Sequence, residues 1–235
     1  MTTILSIDTA TTACSVALAV DGEVRQEFVA TPREHTRLVL PMVDRLLAEA
    51  GIGLGAVDAL AFTAGPGSFT GLRIGFGVVQ GLAFGADLPV IPVSTLAVLA
   101  RVAVNRLRPE SALVLPALDA RMGEIYWGIY RYQRGHLTVV SADAVAAPAA
   151  IAPSVPDTID IGAGDGWTQL AGCFAAVSRI DAALTPDAAS AIDIALPLYE
   201  ANGARSVEEV ELSYIRNEVR WKKHTKIRHT TKEAQ

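Results

Sequence analysis

Apolar and polar positions along the 235-residue chain alternate between period two and period 3.6. Ile4–Asp8 is a short apolar run, Ser15–Val20 alternates and closes on an Asp21-Gly22 turn, and Glu23–Ala30 follows. Together they predict an antiparallel meander. Leu38, Val39, Met42, Val43, Leu46 and Leu47 then fall on one helical stripe that ends at Gly51. Thr31-Pro32-Arg33-Glu34 supplies a start signal for it, with threonine at the N-cap, proline in the first turn and glutamate at the capping-box position. Pro41 inside the stripe is expected to weaken or kink the first turns. Val57–Thr63 and Val90–Ser94 read as buried strands bracketing another helix from Thr70, which predicts a parallel pair. Ser94 can cap a further helix running to about Leu107.

At Arg108-Pro109 the chain turns over and the pattern starts again. Leu113–Asp119, Glu124–Tyr132 and, after an Arg134-Gly135 turn, Leu137–Ser141 repeat the layout of the first three strands, each half beginning with an apolar strand that ends at an aspartate. Two copies of one unit predict two lobes facing each other across a cleft: an N-terminal lobe over 1–108 and a C-terminal lobe over 109–216. The Ala/Pro-rich stretch from Asp143 to Pro156 reads as one short helix and a loop. Thr158–Ile161 is a strand running into the glycine turn Gly162–Gly166, and Ala188–Ala201 is a helix ended by Asn202-Gly203. Residues 217–235 form a basic tail in which Lys222, Lys223, Lys226, Arg228 and Lys232 surround a single Trp221.

The helix after Thr70 is anomalous because it contains Gly71, Gly75, Gly77, Gly81 and Gly85. Each helical glycine costs roughly 0.5–1 kcal/mol relative to alanine, so something outside the helix must offset them. At about 100° per residue all five fall within an arc of roughly 160°, opposite Leu72, Phe76, Val79, Ala83 and Phe84. The simplest expectation sets the glycine face on the chain's own sheet and turns Arg73, Phe76, Gln80 and Phe84 toward water or a partner. The stretch is not a phosphate loop, since no lysine occurs between Thr63 and Gly85, and Gly65, Gly67 and Gly71 miss dinucleotide spacing by one residue.

Composition narrows the class. Hydrophobic residues make up 51% and charged ones 19%, enough for a sizeable core with a sparsely charged surface that suits partial cover by another protein. The net charge of -5 does not mark the body as a nucleic-acid or anionic-membrane surface. Cys14 and Cys173 lack the spacing of a disulfide framework or a metal site. No basic residue precedes the first apolar run and no uninterrupted apolar stretch reaches the length of a membrane span, so a soluble cytosolic protein is expected.

Asp8-Thr-Ala-Thr, GPGSFTGLRIG, the repeat at Asp119, the GAGDG turn and the late ELSYIR together resemble the TsaB (YeaZ) family of the bacterial machinery that makes threonylcarbamoyladenosine in tRNA. The resemblance covers nearly the whole chain apart from the basic tail. It implies an α/β, two-lobed fold of the actin, sugar-kinase and heat-shock-ATPase kind, built from a duplicated ribonuclease-H-like unit. In catalytic members of that fold the turn after the first strand contacts phosphate or its metal ion. Here that turn offers Asp8, Thr9, Thr11 and Thr12, the other lobe offers Asp119 and Arg121, and Gly162, Gly164 and Asp165 would border an adenosine. No cofactor is required on this reading, and weak nucleotide binding in the cleft stays open.

The catalytic relative, TsaD, holds a metal through two histidines at i and i+4 after its corresponding helix and strand. Those positions fall here on Thr95 and Leu99, neither of which can replace an imidazole. His35 reads as a surface residue near a helix start, His136 lies in a turn, and His224 and His229 belong to the tail. The resemblance therefore implies a non-catalytic subunit, not a metallopeptidase, which dimerises with TsaD and activates it. TsaE would join that pair, tRNA would be engaged indirectly, and the chain alone would form a homodimer. The expected partner surface comprises Leu38, Val39, Met42 and Leu46 on the first helix and Arg73, Phe76, Gln80, Ala83 and Phe84 on the glycine helix. Two other classes stay open: an active kinase or ATPase using the cleft between Asp8 and Asp119, and a tRNA-binding module acting through the tail.

Overall fold

The computed structural model describes residues 2–30, 33–156, 158–170, 172–174 and 177–215. The basic tail and the Thr31-Pro32 start signal lie outside the described residues. In chain order the elements are β1 (Ile4–Asp8), β2 (Ala13–Val20), β3 (Glu23–Ala30), α1 (His35–Ala50), β4 (Ala59–Gly65), α2 (Phe69–Ala86), β5 (Val90–Ser94) and α3 (Thr95–Leu107). There follow β6 (Ser111–Asp119), β7 (Ile125–Gln133), β8 (His136–Ala146), α4 (Pro148–Ile151), β9 (Ile159–Ala163), α5 (Trp167–Leu170), β10 (Val177–Asp181) and α6 (Ala188–Glu200).

The strands form two five-stranded sheets, β3-β2-β1-β4-β5 and β8-β7-β6-β9-β10. Each has three antiparallel strands followed by two parallel ones, so the internal repeat extends through the whole topology. Side-chain size alternates along the first sheet. Leu5, Ile7, Val16, Leu18, Leu60 and Phe62 face α1 and α2, whereas Ala17, Ala19, Ala59 and Ala61 on the other face admit α6 at close range. The Ser15 hydroxyl and the Gln26 side-chain carbonyl accept from the amides of Ala188 and Ala189, fixing the start of α6 on that face.

The halves interlock. α6, from the second half of the sequence, packs on the first sheet, while α3, from the first half, packs through Leu96, Leu99, Ala100 and Val104 on the second. α3 and α6 also meet each other. The outer face of the second sheet is closed by Ile151 of α4 and Trp167 and Leu170 of α5.

Local sequence accounts for most boundaries. Ser68, Ser94 and Asp187 cap α2, α3 and α6 by accepting from the amides of Gly71, Ala97 and Ser190, and Gly51 closes α1 at φ 68°. α1 begins at His35 behind Glu34, which makes no side-chain cap, and the helix runs through Pro41. Strand β4 sits two residues later than the apolar run suggested, because Leu54–Ala56 forms a 3-10 turn. β8 extends to Ala146 into the Ala/Pro-rich stretch, and edge strand β10 is an element that the sequence pattern did not reveal.

The glycine helix is oriented differently from expectation. Leu72, Val79 and Ala83 are buried, and Phe76 stacks on Phe62 of β4 with ring centroids 5.3 Å apart. Of the four residues assigned to water or a partner, Phe76 thus meets the sheet, whereas Arg73 and Phe84 are exposed and Gln80 is half-buried. The glycines divide into two sets. Gly71 and Gly75 are buried against Thr9, whereas Gly77, Gly81 and Gly85 are exposed and an added Cβ would meet nothing within 4 Å. By length and composition alone α2 is long and apolar enough to cross a membrane, although Arg73 and Gln80 interrupt its apolar sequence.

Candidate functional site

A cleft of about 820 Å³ lies between the lobes. Its first wall is the β1–β2 turn with the start of α2, where Gly67 and Gly71 allow close backbone approach: the Ser68 amide donates to the Ala10 carbonyl over 2.7 Å. The Thr9 hydroxyl donates to the Gly71 carbonyl over 2.8 Å, locking helix to turn. Opposite stand Asp119, Arg121 and Asp165, with Thr11, Thr12, Arg33 and His35 on the near side.

The residues proposed from sequence as nucleotide contacts are split by the structure. Thr11, Asp119 and Asp165 line the cleft. Asp8 and Thr9 do not, being almost fully buried beneath it. The Asp8 carboxylate accepts from the Thr63 hydroxyl at 2.6 Å and the Ala10 amide at 3.1 Å, and its Oδ2 has no partner. Burial pushes its pKa up to about 6, against the opposing pull of those two hydrogen bonds and with a smaller upward push from Asp187. Gly162 and Gly164 are buried as well. An added Cβ at Gly162 would lie 2.6 Å from the Trp167 indole, and one at Gly164, where φ is 97°, would lie 2.6 Å from Leu99. Both glycines let the chain's own groups pack closely, the Trp167 indole at Gly162 and the Ala117 backbone with Leu99 at Gly164.

Asp119 is fully engaged. It accepts from the Arg121 amide at 2.8 Å, the Arg121 guanidinium at 2.9 Å and the Gln169 amide at 3.2 Å, while its own amide donates to Asp165 at 2.9 Å. A nucleotide held as in catalytic members of the fold needs an accessible carboxylate after the first strand and an open glycine turn. The residues present do not fit that arrangement.

The second candidate region is the outward face of α2. Only Gly71, Leu72, Gly75, Val79 and Ala83 of its 18 residues are buried. Phe84 is 62% exposed, and Arg73, Gly77, Gly81 and Gly85 are exposed beside it, with Gln80 half-buried. Several residues assigned from sequence to a partner surface are excluded from it. Val39, Met42, Leu46 and Ala83 belong to the core, Leu38 and Phe76 pack against that core, and Leu40 is the large apolar residue that α1 exposes. The helical stripe identified on α1 was its core stripe.

A scan against protein families matches residues 28–210 to TsaD, tRNA N6-adenosine threonylcarbamoyltransferase. The Escherichia coli (strain K12) tRNA threonylcarbamoyladenosine biosynthesis protein TsaB is 42% identical over 226 residues, 94% of this chain and 97% of that protein. The chain belongs to the TsaB family. The Haemophilus influenzae TsaB is 39% identical over 94% of this chain and 96% of its own length. The solved structure of YeaZ from Pseudomonas aeruginosa superposes with a TM-score of 0.85 at 41% identity, covering 91% of this chain and all of that one. The duplicated sheets are thus the actin-like architecture of the TsaB fold.

Three features of this TsaB-family chain escaped sequence reasoning. His35 is buried, and its Nε2 donates to the Thr11 and Ala13 carbonyls, each at 3.1 Å, so it braces the cleft turn and is not the surface residue expected. A second feature joins the lobes. Asp143 on β8 accepts from the Ser94 hydroxyl at 2.5 Å and from the Tyr130 hydroxyl, and Gly128 leaves space for its carboxylate. Burial raises the pKa of both Asp143 and Tyr130. Third, Arg73 is held within the molecule: its guanidinium lies 3.8 Å over the Phe69 ring, and its Nε donates to the Tyr214 hydroxyl at 3.1 Å. Thr95 and Leu99, at the positions set against the two TsaD histidines, are both fully buried on α3. Among the described residues no group of three or more His, Cys, Asp or Glu side chains could hold a metal ion.

Proposed function

We propose that this chain is a non-catalytic subunit of tRNA threonylcarbamoyladenosine biosynthesis that binds a TsaD-type threonylcarbamoyltransferase and activates it. The observation that carries the reading is α2, an apolar 18-residue helix with five buried residues and an open glycine stripe. Gly71 and Gly75 are required by the free molecule's own packing. Gly77, Gly81 and Gly85 are not, and at roughly 0.5–1 kcal/mol each they weaken the helix by about 2 kcal/mol without return in the monomer. A second helix approaching backbone to backbone would supply the missing contacts, with Phe84 as an aromatic anchor and Gln80 at the rim. The partner surface is therefore Gly77, Gln80, Gly81, Phe84 and the adjoining Leu40 side of α1.

The chain's contribution is to hold the transferase in its active arrangement, adding no reacting group. The family names of its relatives supply the pathway, and the engaged Asp119 and buried Asp8 argue against a chemical step in the chain's own cleft. TsaE joins the pair, tRNA is engaged through the complex, and in the absence of the transferase the same face pairs with a second copy of the chain. The test is reconstitution: native mass measurement of the chain mixed with a TsaD-type partner, followed by tRNA threonylcarbamoylation with and without the chain. A 1:1 complex and product formation that depends on the chain are expected. Full transfer activity without it, or ATP turnover by the isolated chain, would overturn the reading.

A further inference from the structure

Three unusual features of the second sheet converge on one point. Between Trp127, which pairs with Ala144, and Ile129, which pairs with Ser141, β7 has one residue and β8 has two, so Ala142 and Asp143 form a bulge opposite Gly128. A bulge re-aims the side chains it carries. Gly128 is required here, because an added Cβ would lie 2.7 Å from the Asp143 carboxylate and 3.1 Å from the Tyr130 ring. A glycine and a bulge each weaken the ladder, and a half-buried carboxylate is costly unless its oxygens are hydrogen-bonded. A partner outside the sheet accounts for all three.

That partner is Ser94. Asp143 Oδ2 accepts from the Ser94 hydroxyl at 2.5 Å across 49 residues of sequence, Oδ1 accepts from the Tyr130 hydroxyl, and the Ser94 and Tyr130 oxygens lie 3.2 Å apart. The Tyr130 bond stays inside the second sheet and orients the carboxylate, while the Ser94 bond leaves that sheet. Ser94 is the last residue of β5 in the first sheet and the cap of α3, which packs on the second. Among the described residues the chain passes between the sheets at two places, here and between β10 and α6. The second passage is pinned where Ser15 and Gln26 hold the start of α6. A rotation of one lobe against the other has to be absorbed at such element ends, and at Ser94 the triangle of hydroxyls and carboxylate opposes it.

We infer that the Ser94–Asp143–Tyr130 triangle is a hinge lock that holds the two sheets at one angle and so fixes the width of the cleft between the start of α2 and Asp119. The inference goes beyond the proposed function and does not depend on it. Failure of transferase docking would leave the lock standing, and a freely hinged molecule could still dock through α2.

The test is a distance measurement across the cleft by double electron–electron resonance. Nitroxides are placed on Thr12→Cys and Thr168→Cys, both exposed positions, in a Cys173→Ser chain whose remaining Cys14 is buried. A rotation of about 15° moves a point ~20 Å from the hinge by about 5 Å. The parent should give one narrow distribution, and Asp143→Ala should shift or broaden it by about that amount. Asp143→Asn, whose amide can accept from one hydroxyl and donate to the other, should restore the parent distribution. Val43→Ala, a core truncation far from the triangle, should lower Tm and leave the distance unchanged. Tyr130→Phe keeps the ring and removes only the donor that orients the carboxylate, so it reads the same shift where Asp143→Ala does not fold. The inference is overturned if neither Asp143→Ala nor Tyr130→Phe alters the distribution, if Val43→Ala broadens it as much, or if Asp143→Asn behaves like Asp143→Ala.

Discussion

Replacing Gly71 and Gly81 by alanine, one at a time, separates the two glycine sets on α2. At Gly71 an added Cβ would lie 3.3 Å from the Thr9 carbonyl carbon and closer still to its oxygen, and backbone cannot swing aside as a side chain would. Overpacking of this kind costs about 1–3 kcal/mol, and the helix-propensity gain of up to about 1 kcal/mol is small so near the N-terminus. We expect Gly71→Ala to lose about 2 kcal/mol net, with added weakening of the Thr9 to Gly71 hydrogen bond. Gly81→Ala meets no atom within 4 Å, so only the propensity term, about 1 kcal/mol of stabilisation, acts there. For a chain of this length each kcal/mol moves Tm by about 2–4 °C, so the two midpoints should separate by about 6–12 °C in opposite directions from the parent. Thermal unfolding followed by far-ultraviolet circular dichroism reads this directly. Two variants that shift Tm by the same amount in the same direction would refute the division.

Further outcomes follow from the buried groups. Because burial raises Asp8 to about 6, the stability tied to this group is fully present below about pH 4 and is lost as pH rises through 6, on the order of 3 kcal/mol in total. Urea unfolding of the parent and Asp8→Asn at pH 4 and pH 7.5 should show that increment in the parent only, and parallel pH dependence of the two would contradict it. Cys14 is fully buried with its thiol pushed up to about 12, so iodoacetamide at pH 8 should label Cys173 in the native chain and Cys14 only after unfolding. Phe76→Asp places a carboxylate against Phe62 and should lower stability by about 3 kcal/mol or more, instead of leaving the monomer folded and merely disrupting a partner contact.

What could be read from sequence divides along physical lines. Strands ending at Asp8 and Asp119, the cap at Ser94, and the repeat of the meander depend on local periodicity and local hydrogen bonding, and they are found where the pattern put them. A helical wheel groups residues by face but does not say which face meets the sheet, so Phe76 and Ala83 were assigned outward and the glycines inward. Gly77, Gly81 and Gly85 share an arc with Gly71 and Gly75, yet only the first turns reach Thr9. Gly162 and Gly164 illustrate the same ambiguity: a glycine that admits Trp167 or Leu99 is indistinguishable in one dimension from one that admits a ligand. His35 and Asp143 take their roles from contacts with Thr11, Ala13, Ser94 and Tyr130, and the bond from Ser94 to Asp143 crosses between lobes over 49 residues of sequence. β10 has the sequence VSRID, mostly exposed at a sheet edge, and so lacks the apolar run that marks a central strand.

The docking role of α2 is tested most directly by titrating a TsaD-type transferase with the parent chain and with Gly77→Leu and Gly81→Leu, each by isothermal calorimetry beside its own melting curve. Leucine at either position improves the free helix but fills the stripe where a second backbone must approach. The expected result is a loss of at least about 30-fold in affinity with Tm unchanged or raised. Unaltered affinity in both variants would mean that the open face of α2 is not where the partner binds.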